Sequence, residues 1–168
     1  MLTSHELFGF MSPTLANEIL TFTFESDKPT YRATLNTVAQ ARHLRPVFLE
    51  RQPRSQRHAT MLSALTKPSL ELIAGSLLRA WLLKKYKAML VDFLNALEIK
   101  NEEGVVEGLP ESMDDAKLKA AVEILIAKYP PEVVAVYLNA FNDMNEAGWT
   151  NLKSLLESDS RVQLGAHS

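Results

Sequence analysis

The chain has 168 residues, of which 46% are hydrophobic and 23% charged, and its formal net charge at pH 7 is −2. These values are close to the average of soluble globular domains, which excludes a collagen-like, mucin-like or wholly disordered chain. Cysteine is absent, so disulfides, thiolate metal sites and cysteine nucleophiles are excluded as well.

The first half of the chain is punctuated by prolines that predict helix boundaries. Ser12-Pro13 is typical of a helix start, with the serine as cap and the proline at the first helical position. A second helix is predicted from residue 31 to the Arg45-Pro46 pair, whose proline ends it. A third is predicted from Pro53 to the Lys67-Pro68 pair.

Residues 69–99 contain no proline and carry two apolar faces. At helical spacing, one face holds Leu70, Ile73, Leu77 and Trp81, and a roughly opposite face holds Leu82, Tyr86, Met89, Leu90, Phe93 and Leu97. Either the helix breaks near Leu83-Lys84, or one long central helix packs on both sides. Because neither glycine nor proline stands at the switch, the sequence favours the single central helix.

The second half of the chain begins with a linker and continues with helices. Residues 101–112 contain Gly104, Gly108 and Pro110, which interrupt helical structure. Three further helices are predicted in 113–168, beginning with an acidic first turn for which Ser112 is the expected cap. The sequence therefore predicts an all-α fold, an antiparallel multi-helix bundle or irregular array of helical hairpins around the central helix. We expect the parts 1–100 and 113–168 to pack as one compact unit.

The sequence gives no indication of export or membrane insertion. The N-terminus lacks a basic segment followed by an apolar stretch. The richest apolar run, residues 72–83, includes Arg79 and is shorter than the roughly 20 residues that a spanning helix needs. We expect a cytoplasmic protein that does not contact membranes.

The basic segment 42–57 contains five arginines and one acidic residue, Glu50. Arg42 and Arg45 are expected in the last turn of a helix, where cations are favoured. Arg54 and Arg57, in contrast, would lie at the positive N-terminal end of the next helix, beside His58. The candidate anion- or partner-binding residues are therefore Arg51, Arg54, Arg57 and His58. Internal pairing or plain solvation of these cations is the alternative.

Charge is distributed unevenly along the chain. Residues 1–90 carry 12 basic and 6 acidic residues, whereas residues 91–168 carry 6 and 14. The segment 102–115 alone holds six carboxylates and neither lysine nor arginine. Such asymmetry favours oriented association through complementary surfaces, although it could also be neutralised within one monomer.

Three functions fit these observations. The favoured one is a non-catalytic protein-interaction or scaffold module that binds another protein or itself. Binding of nucleic acid or a phosphate anion through the basic segment is the second. The third is an enzyme with a site between helices, whose candidates by chemical type are Tyr31, Arg54, Arg57, His58 and Glu71. The histidines at positions 5, 43, 58 and 167 are dispersed, so we expect neither a metal site nor a cofactor.

Overall fold

The computed structural model describes residues 1–165, which contain α-helices, two short 3₁₀ turns and no β-strand. The all-α class predicted from the sequence is thus confirmed. His167 lies outside the described residues. The helices are α1 (Ser4–Phe10), α2 (Pro13–Ser26), α3 (Lys28–Ala41), α4 (Pro46–Glu50), α5 (Arg54–Leu65), α6 (Glu71–Lys85), α7 (Lys87–Ala96), α8 (Asp115–Lys128), α9 (Pro131–Asn145) and α10 (Thr150–Ser158). The 3₁₀ turns are Pro68–Leu70 and Ser160–Val162.

Several helices begin at a side chain that accepts a hydrogen bond from the first turn. The Ser12 hydroxyl accepts from the Leu15 amide at 3.2 Å, as the sequence predicts. Asp27 caps α3 by accepting from both the amide and the hydroxyl of Thr30. For α8 the predicted cap is wrong, because Asp114 and not Ser112 accepts from the Lys117 amide. A carboxylate there satisfies a free amide and also carries negative charge to the positive helix end.

The single central helix predicted over 69–99 is wrong in its continuity. Tyr86, with φ −118° and ψ 29°, separates α6 from α7 and is the N-cap of α7. With the break at Tyr86, each segment buries apolar side chains of its own face. Leu77 and Trp81 are fully buried in α6, and Phe93 is fully buried in α7. The polar Lys84 and Lys85 lie in the last turn of α6, where cations are favoured.

By backbone contacts the chain divides into two compact units, and the boundary between Trp81 and Leu82 falls within α6. In the unit Leu2–Trp81, α3 packs on α2, α4 and α5, and α1 packs on α5. Its fully buried side chains include Leu7, Ile19, Leu35, Leu49, Met61 and Leu65. The residues 101–112 belong to the other unit. The domain organisation expected from the sequence stays a prediction.

In the unit that begins at Leu82, α7 packs on α8, and α9 packs on both α8 and α10. A group of aromatic rings forms its centre. The Phe93 ring meets those of Tyr137 and Phe141 edge to face, at centroid distances of 5.5 and 5.3 Å. Trp149 lies 5.5 Å from Phe141 and donates from Nε1 to the Pro110 carbonyl at 2.8 Å. This bond fixes the end of the 101–112 segment.

Two short helices have no counterpart in the sequence prediction. One of them, α4, lies within the basic segment and changes the predicted position of Arg45. α1 and α4 have seven and five residues, too few for a periodic apolar pattern. Because α3 ends at Ala41, Arg42 is its C-cap, and Arg45 is the N-cap of α4. The expectation that Arg45 lies in the last turn of a helix is therefore wrong. Among residues 1–165, no helix has both the length and the apolar content required to cross a bilayer.

Candidate functional site

The basic segment 42–57 leaves α3, forms α4 and enters α5. His43 turns the chain with a φ of 55°, and the Leu44 amide donates back to the Ala39 carbonyl at 2.8 Å. Leu49 then anchors α4, since its side chain is fully buried. This anchor holds a one-turn helix at the surface and so fixes which of its side chains face solvent.

Two apolar side chains of α4 are exposed between arginines. Phe48 is 57% exposed and Val47 46% exposed. Arg45 and Arg51, both exposed, stand at the two ends of this helix. Because residues three and four apart are neighbours on a helical turn, Arg51 lies beside both apolar side chains. We call Arg45, Val47, Phe48 and Arg51 the α4 surface; it combines an apolar anchor with flanking positive charge.

Arg54 and Arg57 pack around the ring of Phe24. The Arg54 guanidinium lies 4.4 Å from the ring centroid and that of Arg57 lies 5.4 Å away. Cation–π contacts at exposed positions contribute roughly 0.5–1 kcal/mol. They offset the cost of placing two cations at the N-terminal end of α5, where Pro53 supplies no side-chain cap.

A partly buried series of hydrogen bonds that includes Arg57 joins α3 to α5. Arg57 donates from Nε to the Tyr31 hydroxyl oxygen at 2.8 Å and from a terminal nitrogen to the Glu50 carbonyl at 2.9 Å. The Tyr31 oxygen lies 2.9 Å from Nε2 of His58. Because Arg57 can only donate, we assign the hydroxyl proton of Tyr31 to the bond with His58. Nε2 of His58 accepts this hydrogen bond only when the imidazole ring is neutral.

The electrostatic surroundings keep the hydrogen-bonded side chains of Tyr31 and His58 uncharged, so that the guanidinium of Arg57 is the only charged group among the three. Burial, with further contributions from Arg57 and Arg54, lowers the pKa of His58 to about 4. Burial raises the pKa of Tyr31, although the two nearby arginines act against it. At neutral pH the pair is therefore an uncharged phenol and an uncharged imidazole. In chemical terms the arrangement is a tether between helices, because Nε2 of His58 and the Tyr31 proton are both engaged.

The structure brings together four of the five residues selected for an enzyme site but places Glu71 elsewhere. Its carboxylate accepts from the amides of Ser4 and His5 at 2.7 and 2.8 Å and from His5 Nδ1 at 2.6 Å. These bonds lower the pKa of Glu71, against the raising effect of burial. Glu71 thus caps the N-terminal end of α1 from a distant part of the chain.

The predicted partner-binding residues differ in what the fold demands of them. His58 is buried, and Arg57 is half-buried with its donors engaged by Tyr31 and Glu50. Arg51 and Arg54 are exposed. Sequence reasoning missed the exposure of Val47 and Phe48, although their position between arginines is visible in the printed sequence. It missed Phe24 because a half-buried aromatic residue carries no distinguishing pattern.

The acidic segment 102–115 is partly engaged in local structure. Glu103 faces Lys87 with 3.4 Å between the charged atoms, and Asp115 accepts from Asn151 at 2.7 Å. Asp114 caps α8 as described above. Glu102 and Glu107 are exposed and line a surface cavity of about 530 Å³ formed by residues 99–108.

Within residues 1–165, no group of three or more histidine, aspartate or glutamate side chains is arranged to hold a metal ion. In comparisons with protein-family models, with curated proteins and with solved structures, nothing matches this chain.

Proposed function

We propose that this chain is a protein-interaction module that docks an acidic protein segment on the α4 surface. The observation that carries the proposal is the exposure of Phe48. An aromatic side chain that is 57% exposed, on a helix pinned by the buried Leu49, is a preformed anchor. Isolated exposed apolar residues are common, but Phe48 and Val47 form a contiguous pair with a cation on each side.

The flanking charges specify the chemistry of the partner. Arg45 and Arg51 present guanidinium groups that match carboxylates in geometry and charge. Arg54, exposed over the Phe24 ring, extends the positive surface to α5. A partner segment that carries an apolar side chain between acidic residues would fill the anchor and satisfy the cations together. Charge complementarity of this kind accelerates association and selects the partner.

The proposal is tested by capture of partners from a nuclease-treated lysate at low and high salt. The test variant is Arg45→Glu with Arg51→Glu, and the matched control is Arg32→Glu with Arg79→Glu, which changes the net charge equally at exposed positions of the same unit. Arg57 is left unchanged because its donors support Tyr31 and the Glu50 carbonyl.

We expect acidic proteins bound by the wild type and the control to be lost from the test variant and at high salt. Equal capture by all three proteins would refute the proposal. Binding of nucleic acid in place of protein in a parallel untreated lysate, abolished by the nuclease and falling steeply with salt, would favour the alternative function. The non-enzymatic nature, the lack of a cofactor and the cytoplasmic location that we expect from the sequence stay predictions.

A further inference from the structure

A second surface of the chain complements the α4 surface in charge and in apolar character. Residues 99–108 line a cavity of about 530 Å³. Its apolar lining comes from Ile99, Val105 and Val106, and Val105 is 46% exposed. Its acidic lining comes from the exposed Glu102 and Glu107, with Lys100 as the one cation among the lining residues described. We call this feature the 99–108 groove.

Local hydrogen bonds hold the groove in a defined shape. Glu102 and Val105 exchange backbone bonds of 2.8 and 3.0 Å, and Asn101 Oδ1 accepts from the Gly104 amide at 3.1 Å. Gly104 has a φ of +89°, and a Cβ added there would lie 3.0 Å from Cβ of Leu90. Only glycine fits this turn without strain. The groove is therefore preformed, which lowers the entropic cost of binding.

The two surfaces are complementary in charge, and both present apolar side chains. The α4 surface presents an apolar pair between Arg45 and Arg51. The 99–108 groove presents apolar walls beside Glu102 and Glu107. A groove of about 530 Å³ also has room for the exposed ring of Phe48. Opposite potentials on such surfaces orient the partners and exclude like-charged competitors.

From this complementarity we infer that the partner is a second copy of this chain, whose 99–108 groove receives the α4 surface. The inference rests on the proposed function, because it uses the same anchor and the same cations. Each copy offers both surfaces, so the contact joins unlike surfaces of the two molecules. A one-turn helix in a groove is small compared with the roughly 1,200–2,000 Å² of a standard stable interface. The association is therefore weak, dependent on concentration and sensitive to salt.

The test reverses the charge of each surface in a separate variant. Sedimentation velocity at low and high salt then measures the association of each variant alone and of the two mixed. The basic-reversed variant is Arg45→Glu with Arg51→Glu, and the groove-reversed variant is Glu102→Lys with Glu107→Lys. The controls are Arg32→Glu with Arg79→Glu and Glu146→Lys with Glu157→Lys, all at exposed positions. Circular dichroism checks that each variant keeps its helical content.

We expect the wild type and both controls to self-associate at low salt and to dissociate at high salt. Each reversed variant alone loses roughly tenfold or more in association constant, because like charges then face each other. An equimolar mixture of the two reversed variants regains associated species of at least twice the monomer mass, because the α4 surface of each variant then faces a groove of opposite charge on the other. The variant that carries all four substitutions regains self-association.

Two results would overturn the inference. If the wild type stays monomeric at every protein and salt concentration, a second copy of the chain is not the partner. A wild type that associates while the mixture of reversed variants stays monomeric shows that other surfaces are used. In either case the proposed function survives if the α4 surface still captures a different acidic protein in the lysate experiment, and both fail if it captures none.

Discussion

The buried His58 makes the stability of this protein dependent on pH in a defined window. Its pKa falls from an ordinary 6.5 to about 4 in the folded chain, chiefly through burial. In the unfolded chain the imidazole takes up a proton below about pH 6.5, whereas in the folded chain it does so only below about pH 4. The stability associated with neutral His58 is therefore complete above pH 6.5 and is lost as the pH falls toward 4.

The size of this effect follows from the shift. A difference of roughly 2.5 pH units, at about 1.4 kcal/mol per unit, amounts to about 3 kcal/mol in the free energy of unfolding. At about pH 5 roughly 2 kcal/mol of it is already lost. Carboxylates with a lowered pKa, such as that of Glu71, act in the same direction but mostly below this window.

Urea denaturation at about pH 8 and pH 5 measures the loss, and His58→Gln is the control. Glutamine keeps a polar group near the Tyr31 hydroxyl but cannot titrate. We expect the wild type to lose about 2 kcal/mol more than the variant between the two pH values. An identical loss in both proteins would show that the pKa of His58 is not lowered in the folded state, and the account of the Tyr31–His58 tether would fail.

Three further predictions concern single side chains. Tyr31→Phe removes the hydroxyl between Arg57 and His58 and should cost about 1–3 kcal/mol in urea denaturation, because both groups stay half-buried or buried without that partner; a change below about 0.5 kcal/mol would contradict the tether. Phe48→Ala removes roughly 100 Å² of exposed ring surface, at about 25 cal/mol per Å². It should weaken partner binding about 10- to 100-fold in a titration and leave the free energy of unfolding within about 0.5 kcal/mol; unchanged affinity would exclude Phe48 as the anchor. Glu71→Ala should lower the melting temperature through a loss of about 1 kcal/mol, because two amides of α1 lose their acceptor; an unchanged midpoint would show that this cap is dispensable.

The all-α class and the start of α2 were accessible from the sequence because they depend on local chemistry. Ser12-Pro13 marks that helix through a cap and a fixed φ, which a short local pattern reveals. The break at Tyr86 was not accessible in the same way. It carries no glycine or proline, and its signal is the change of apolar face around it, which a continuous helix packed on both sides would also produce.

The candidate site was only partly accessible, because its hydrogen bonds join residues distant in sequence. Tyr31 and His58 are 27 positions apart, and nothing periodic links them. Placing the Arg57 cation at the positive end of a helix is expected to be unfavourable in free energy. Its hydrogen bonds to the Tyr31 hydroxyl and the Glu50 carbonyl offset this, and both partners depend on the tertiary fold. The charge asymmetry, by contrast, depends only on the sequence, which shows the basic segment 42–57 and the acidic segment 102–115 directly.

Site-specific photo-crosslinking tests most directly whether the α4 surface is where partners dock. A photoreactive phenylalanine analogue is placed at Phe48 in one protein and, as a control, at Leu72, which is 90% exposed on α6. We predict protein adducts from position 48 that disappear at high salt and in the variant Arg45→Glu with Arg51→Glu, with none of these adducts from position 72. The same adducts from both positions, or salt-independent adducts from position 48, would contradict the account.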